Sequence, residues 1–168
     1  MVTMKLKRIL RHLGMTDWQV RRLFSPHTLH AIEAAIKEGE QSHAGQVRFA
    51  VEGALHTSAL FRDVSAREQA IEVFSLLRVW DTELNNGVLI YLLLADHDVE
   101  IVADRGIHAR VGAQAWESIC RVMEAAFRQG RYEEGALEGI RAVTRLLAEH
   151  FPAGGPRVNE LPDRPVVL

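Results

Sequence analysis

From Val88 to Ala95 every position is apolar, whereas from Val99 to Asp104 two kinds of face alternate, Val99, Ile101 and Ala103 against Glu100, Val102 and Asp104. The first run predicts a central strand buried on both faces, too short to cross a membrane, and the second a strand nearer the sheet edge. Asp96-His97-Asp98 between them predicts a tight turn, so the two runs form an antiparallel hairpin. Upstream, Gln46-Val47-Arg48-Phe49-Ala50-Val51-Glu52 alternates in the same way and predicts another strand. The stretch between it and the hairpin carries a helical period over Ala70, Ile71, Phe74, Leu76 and Leu77, up to about Trp80, and opens with the capping-box spacing Ser65-Ala66-Arg67-Glu68. Strand, helix, strand makes the runs at 46–52 and 88–95 parallel neighbours.

Other helical periods surround this unit. Residues 4–13 predict a basic amphipathic helix stopped by Gly14, and Asp17 to Phe24 another turn or two. Ser25-Pro26 opens a helix carrying Leu29, Ile32, Ala35 and Ile36 on one face, and residues 57–63 predict a short helix. Beyond the hairpin, Trp116, Ile119, Cys120, Met123 and Phe127 share a stripe that ends near Gly130. Ala136, Ile140, Val143 and Leu147 mark a last helix from Tyr132 to His150. After Phe151 come four of the five prolines and an adjacent glycine pair, so the tail is predicted extended or mobile rather than packed. The fold expected is α/β, a small mixed sheet sandwiched between helices. It divides into a basic helical arm (1–24), an α/β domain (25–151) and a Pro-rich tail (152–168).

Composition changes this picture little: 168 residues, 48% hydrophobic and 25% charged, suit one globular domain. The net charge of −2 argues against nucleic acid as a partner, but it is unevenly spread, since residues 1–24 carry +5 and the remainder −7. The plainer reading of the arm is a solvated helix packing Leu6, Ile9, Leu10 and Leu13 on its own body. The other is contact with an acidic partner or an anionic membrane surface. A single cysteine, Cys120, excludes an internal disulfide and fits a small core residue better than a nucleophile. The basic start leads to no long apolar run, so neither a signal peptide nor a transmembrane segment is expected, and the location expected is cytoplasmic, or peripheral to a membrane.

Chain direction brings polar groups together. The starts of the two parallel strands and the end of the returning strand lie at one end of the sheet, which collects His43, Gln46, Asp81, Glu83, Asn85, Asn86, Gly87, Asp104, Arg105 and Gly106. Carboxylates with amide and backbone oxygens suit a hard cation, calcium or magnesium. Set against this, Asn85–Gly87 would merely enter a strand, Asp104 cap a turn and Arg105 pair with a carboxylate. The opposite end holds Glu52, His56, Asp96, His97 and Asp98; its turn residues are ordinary and no Gly-rich phosphate loop accompanies them. His27 and His30 lie three apart on a helix without an implied third ligand, and none of the familiar hydrolase, zinc or phosphate-loop motifs occurs.

Three segments carry a family resemblance: Asn86-Gly87-Val88-Leu89, then Asp98 through Ile107, and Phe127-Arg128-Gln129-Gly130-Arg131-Tyr132-Glu133-Glu134-Gly135, with Ala44-Gly45-Gln46 ahead of the first strand. They resemble the TPM domain over roughly residues 30–150, and more narrowly its short bacterial branch, some members of which are described as membrane-associated. The resemblance implies a small sheet between helices. Because plant lumenal members are linked to acid phosphatase activity and divalent-cation binding, it also implies a cation site. Where the family commonly has Asp-Asn-Gly this chain has Asn85-Asn86-Gly87, and where it has Gly-Tyr-Gly this chain has Asp104-Arg105-Gly106.

The function expected is a binding or assembly module acting on a protein or membrane-associated partner, with a divalent cation held by Asp81, Asn85 and Asp104 and ligand contacts from Asn86, Gly87, Arg105 and Gly106. The alternative is a metal-assisted acid phosphatase, in which Asp81 and Asp104 hold the ion, Asn86 and the Gly106 backbone orient phosphate and Arg105 offsets its charge. No catalytic residue is assigned.

Overall fold

The computed structural model describes residues 2–156 and 158–168; Met1 and Arg157, assigned by sequence to the arm and the tail, lie outside them. The chain runs α1 (Val2–Gly14), α2 (Asp17–Leu23), α3 (Pro26–Gly39), β1 (Gln46–Glu52), α4 (Thr57–Phe61), α5 (Ala66–Leu76), β2 (Gly87–Leu93), β3 (Asp98–Ala103), α6 (Arg105–Val111), α7 (Ala113–Arg128), α8 (Tyr132–His150) and β4 (Val166–Val167). The strands form one open mixed sheet in the order β3-β2-β1-β4. β1 is parallel to β2, with Gln46 opposite Gly87, and β2 is antiparallel to β3, with Val88 opposite Ala103.

Every residue of β2 is buried, as its unbroken apolar run requires. Val88, Ile90 and Leu92 face one core with Phe49, Ile32, Met123, Phe127, Ile140 and Leu147, while Leu89, Tyr91 and Leu93 face a second with Leu60, Val73, Phe74 and Leu161. Helices therefore cover both faces. The capping box at Ser65 and Glu68 and the Ser25 cap before Pro26 form as the residues predict. α5 stops at Leu76 rather than near Trp80, and Ile71 and Leu76, counted by their spacing among its apolar positions, are exposed.

Two regions depart further from expectation. Between β3 and α7 lies α6, where Asp104 caps a helix rather than a turn. The tail is extended but packed: β4 pairs in parallel with β1, Leu161 and Pro165 are buried, and the largely buried Arg48 on β1 donates from Nη1 to the carbonyls of Pro162 and Arg164. A cation in mid-strand is tolerable here because these carbonyls accept its hydrogen bonds and Asp163 offsets its charge, and the bonds clasp the tail to the sheet. Burial holds the Arg48 guanidinium below its usual pKa.

On the outer side of β3, neighbouring helices meet the backbone groups that a further strand would use. Glu124 on α7 accepts from Val99 N–H at 3.1 Å, the Ile101 backbone bonds the Cys120 thiol, and Arg67 on α5 donates to Ile101 O at 2.6 Å.

Candidate functional site

The loop after α5 is folded back on itself so that Asn85 takes a left-handed backbone conformation (φ 51°). Its N–H donates to Thr82 O at 3.3 Å, and the next N–H, of Asn86, donates to the buried Thr82 hydroxyl at 3.2 Å. This aims the Asn86 side chain inward, where it is fully buried and its Nδ2 donates to Ala44 O at 2.9 Å. That bond fixes the amide orientation, since the flipped amide would set two oxygens against each other. Asn86 Oδ1 is then buried without a protein partner.

Asp104 reaches the same corner from β3. Its N–H donates to Gly87 O at 2.9 Å, and its Oδ1 accepts from Arg105 N–H at 2.7 Å at the start of α6. Its second oxygen, Oδ2, is also buried and without a partner. Glycine is required twice here. A Cβ on Gly87 would stand 2.0 Å from Val79 O, and one on Gly106 would stand 2.5 Å from Asn85 O and 2.7 Å from Leu84 O. Ile107 N–H donates to Asn85 O at 3.3 Å, so Asn85–Gly87 and Asp104–Gly106 meet in space as chain direction predicts.

The remaining residues of the expected cluster divide. His43 and Gln46 are buried beside the corner. Gln46 Oε1 accepts from Glu160 and Leu161 N–H at 3.0 and 2.9 Å, and Glu83 N–H donates to Glu160 Oε2 at 2.8 Å, so the tail crosses this end of the sheet. Asp81 is held outward, its carboxylate 2.6 Å from Arg78 Nη2, and the Arg105 side chain is exposed. Among the described residues no group of three His, Cys, Asp or Glu side chains is placed to hold a metal ion. His27 and His30 are both exposed on α3.

The opposite end is richer than its turn residues suggest. Asp96, beside the left-handed His97, gathers α1 onto the hairpin. Arg8 Nε donates to its Oδ2 at 2.9 Å, Arg11 Nη2 to its Oδ1 at 3.2 Å, and His12 Nε2 lies 3.0 Å from the same Oδ1. His12 Nδ1 accepts from Leu55 N–H at 3.0 Å, which leaves the ring proton on Nε2, toward Asp96. Arg8 Nη2 also donates to Val64 O at 2.7 Å, and Lys5 pairs with Asp63 at 2.7 Å. Asp96 is therefore more than a turn residue. The sequence signal for it was the spacing of Arg8, Arg11 and His12 on one helix face, set against a body of opposite charge.

A hollow of ≈ 510 Å³ lies at neither end but along the outer edge of β3, lined by Asp98, Glu100, Trp116, Cys120, Glu124 and Arg67 among others. Burial and the neighbouring Glu100, Glu124 and Asp96 push the Asp98 carboxyl up to about 6, and burial pushes the Cys120 thiol up to about 12, so the thiol stays protonated and is no nucleophile. Folded Asp98 holds its proton more tightly than the unfolded chain does, so stability falls as pH rises from about 4 through 6 and stays lower above. Asp98→Asn removes that loss. The melting temperature at pH 7.5 is expected to rise by about 2–4 °C, a value discounted for partial exposure, with no gain at pH 4. A thermal melt at the two pH values checks it.

The fold and this polar corner define a small helix-flanked mixed-sheet domain in which an asparagine and an aspartate present inward-facing oxygens at the start of the central strand and the end of its antiparallel neighbour. The TPM domain profile matches residues 19–146, and the chain belongs to the TPM domain family. Among solved structures it is similar to the BA42 protein of the psychrophilic bacterium Bizionia argentinensis, at 28% identity over 85% of this chain and 94% of that one, with a TM-score of 0.75. It shares the fold of the N-terminal domain of a protein from P. gingivalis, at 20% identity over 79% of this chain and 83% of that one, with a TM-score of 0.58. No curated protein matches it significantly.

Proposed function

We propose that this TPM domain is a binding module whose Asn86–Asp104 corner takes a hard divalent cation. The supporting observation is that the two segments joined by the Asp104 N–H to Gly87 O bond each carry a buried oxygen without a protein partner, Asn86 Oδ1 and Asp104 Oδ2. A buried acceptor left unmade costs about 1–3 kcal/mol, more when it is charged, and an oxygen-seeking cation drawn into the corner would relieve that cost. Asn86 and Asp104 would hold the ion, with backbone carbonyls and water completing the set. A set with one carboxylate and otherwise amide or carbonyl oxygens favours calcium over magnesium, which prefers a rigid octahedron, and predicts weak binding, with Kd of roughly 10⁻⁴–10⁻³ M. The bound charge would tie the Thr82–Gly87 loop to α6 and, through Gln46 and Glu83, to the tail, and so firm up the face offered to a partner. Hydrolysis is less favoured, because Asp81, which a metal-assisted phosphatase would need beside Asp104, is engaged by Arg78.

Calcium titrated into metal-stripped protein should raise the melting temperature, by about 5–10 °C at 100-fold above Kd. Asp104→Asn should abolish the rise. An unchanged melting temperature at about ten millimolar calcium, well above the expected Kd, overturns the reading.

A further inference from the structure

Helix α1 is docked the wrong way round for an ordinary amphipathic helix. Its polar side faces the body, where Arg8 and His12 are held by Asp96, Asp63, Val64 and Leu55, and its apolar side faces out. Leu6, Leu10 and Leu13 are 55%, 60% and 64% exposed, whereas Ile9 packs against the second core. At about 100° per residue the three leucines span an arc of about 60°, with Lys7 and Arg11 along one flank and Ile9 and Lys5 along the other. Burying Arg8 and His12 on the body prevents the helix from rolling over to hide the leucines.

We propose that this leucine stripe is a docking surface for an anionic lipid bilayer, on which α1 lies flat. Charge selects the occupant. α1 contains no acidic residue, Lys7, Arg21 and Arg22 are exposed, and across residues 5–22 six cations face Asp17 alone. A narrow stripe bordered by cations is the pattern of a helix that inserts its leucines at the level of acidic headgroups. A second copy of the chain is a poor occupant, because stripe against stripe would bring two sets of Lys7 and Arg11 together. Trp18, 65% exposed with Arg22 stacked 5.4 Å over its ring, adds an aromatic of the type found at membrane interfaces. No helix among the described residues is long and apolar enough to cross a membrane, so the association is peripheral. The proposal is independent of the cation corner.

The test is co-sedimentation with vesicles in the presence of chelator, so that the cation corner plays no part. One set is pure phosphatidylcholine and the other carries about three tenths phosphatidylserine. The full chain should pellet with the anionic vesicles and not with the neutral ones. Leu6→Ser/Leu10→Ser/Leu13→Ser, which changes only exposed side chains, should reduce binding at least about tenfold. Lys7→Glu should reduce it without touching the leucines, and so serves even if the triple variant fails to fold. Leu76→Ser, an equally exposed leucine outside the basic segment, should leave it unchanged. The proposal is overturned if the chain ignores both vesicle types, if Lys7→Glu binds as well as the original chain, if the folded triple variant does so, or if ultracentrifugation shows a dimer that the triple variant dissolves.

Discussion

Gly87→Ala should lower stability by about 3 kcal/mol, a fall of about 6–12 °C in melting temperature for a domain of this size. The new methyl group would stand 2.0 Å from Val79 O and 3.0 Å from Val79 Cγ1. Neither partner can give way cheaply. Gly87 is fixed between Gln46 on β1 and the Asp104 N–H that its carbonyl accepts, and Val79 is fully buried with its own N–H on Phe74 O at 3.0 Å. Moving either therefore breaks backbone hydrogen bonds or opens the second core. The loop that moves is the one that positions Asn85 and Asn86, so any calcium response should be lost along with stability. Gly154→Ala, with nothing within 4 Å of its new Cβ, is the control and should leave the melt unchanged. A fall below about 1 kcal/mol for Gly87→Ala would mean that the loop adapts freely and does not hold the corner in a fixed shape.

Asp96→Ala should cost about 2–4 kcal/mol, most of it confined to α1. The carboxylate is shielded, with only 12% of its side chain exposed, and it faces Arg8 at 18% and His12 at 0%. Removing one side of such a cluster leaves the other charges buried and unmatched, a larger penalty than the cluster's own net contribution to stability. The value is below that of a fully buried pair because Arg11 is half exposed and Arg8 keeps Val64 O and Asp63. Limited trypsin digestion separates a local from a global effect. Cleavage after Lys5, Lys7, Arg8 and Arg11 should accelerate well before cleavage within α8. Equal acceleration everywhere would show that Asp96 supports the whole domain rather than the docking of one helix.

Much of this architecture was legible because its elements are long and strongly periodic. β1, the hairpin, α7 and α8 follow directly from where apolar positions fall, and the meeting of the segments Asn86–Gly87 and Asp104–Gly106 follows from strand direction alone. What escaped was short or held from afar. β4 has only two residues, and its partner Arg48 reads as one polar position in an alternating strand until Pro162 and Arg164 are seen to receive it. α6 has seven residues with Gly106 near its start, so its signal was its cap alone. The role of Asp96 depends on Arg8, 88 residues away in sequence. α1 is the clearest case. Its pattern shows that two unlike faces exist, but which one docks was decided by what the body offers: a carboxylate, a backbone carbonyl and a free N–H, all of which suit the polar face.

The side chains along the outer edge of β3 have a bearing on how crowded solutions of this protein behave. A bare strand margin recruits further strands, of its own kind or another, and grows into insoluble fibres. Here an arriving chain would first have to strip Glu124 from Val99, Cys120 from the Ile101 backbone and Arg67 from Ile101 O. At the far margin, β1 is already covered by the tail that Arg48 grips. One side of the sheet is plugged by side chains and the other ends in a two-residue strand, and both discourage polymerising at the concentrations at which a module of this kind would have to meet its partner.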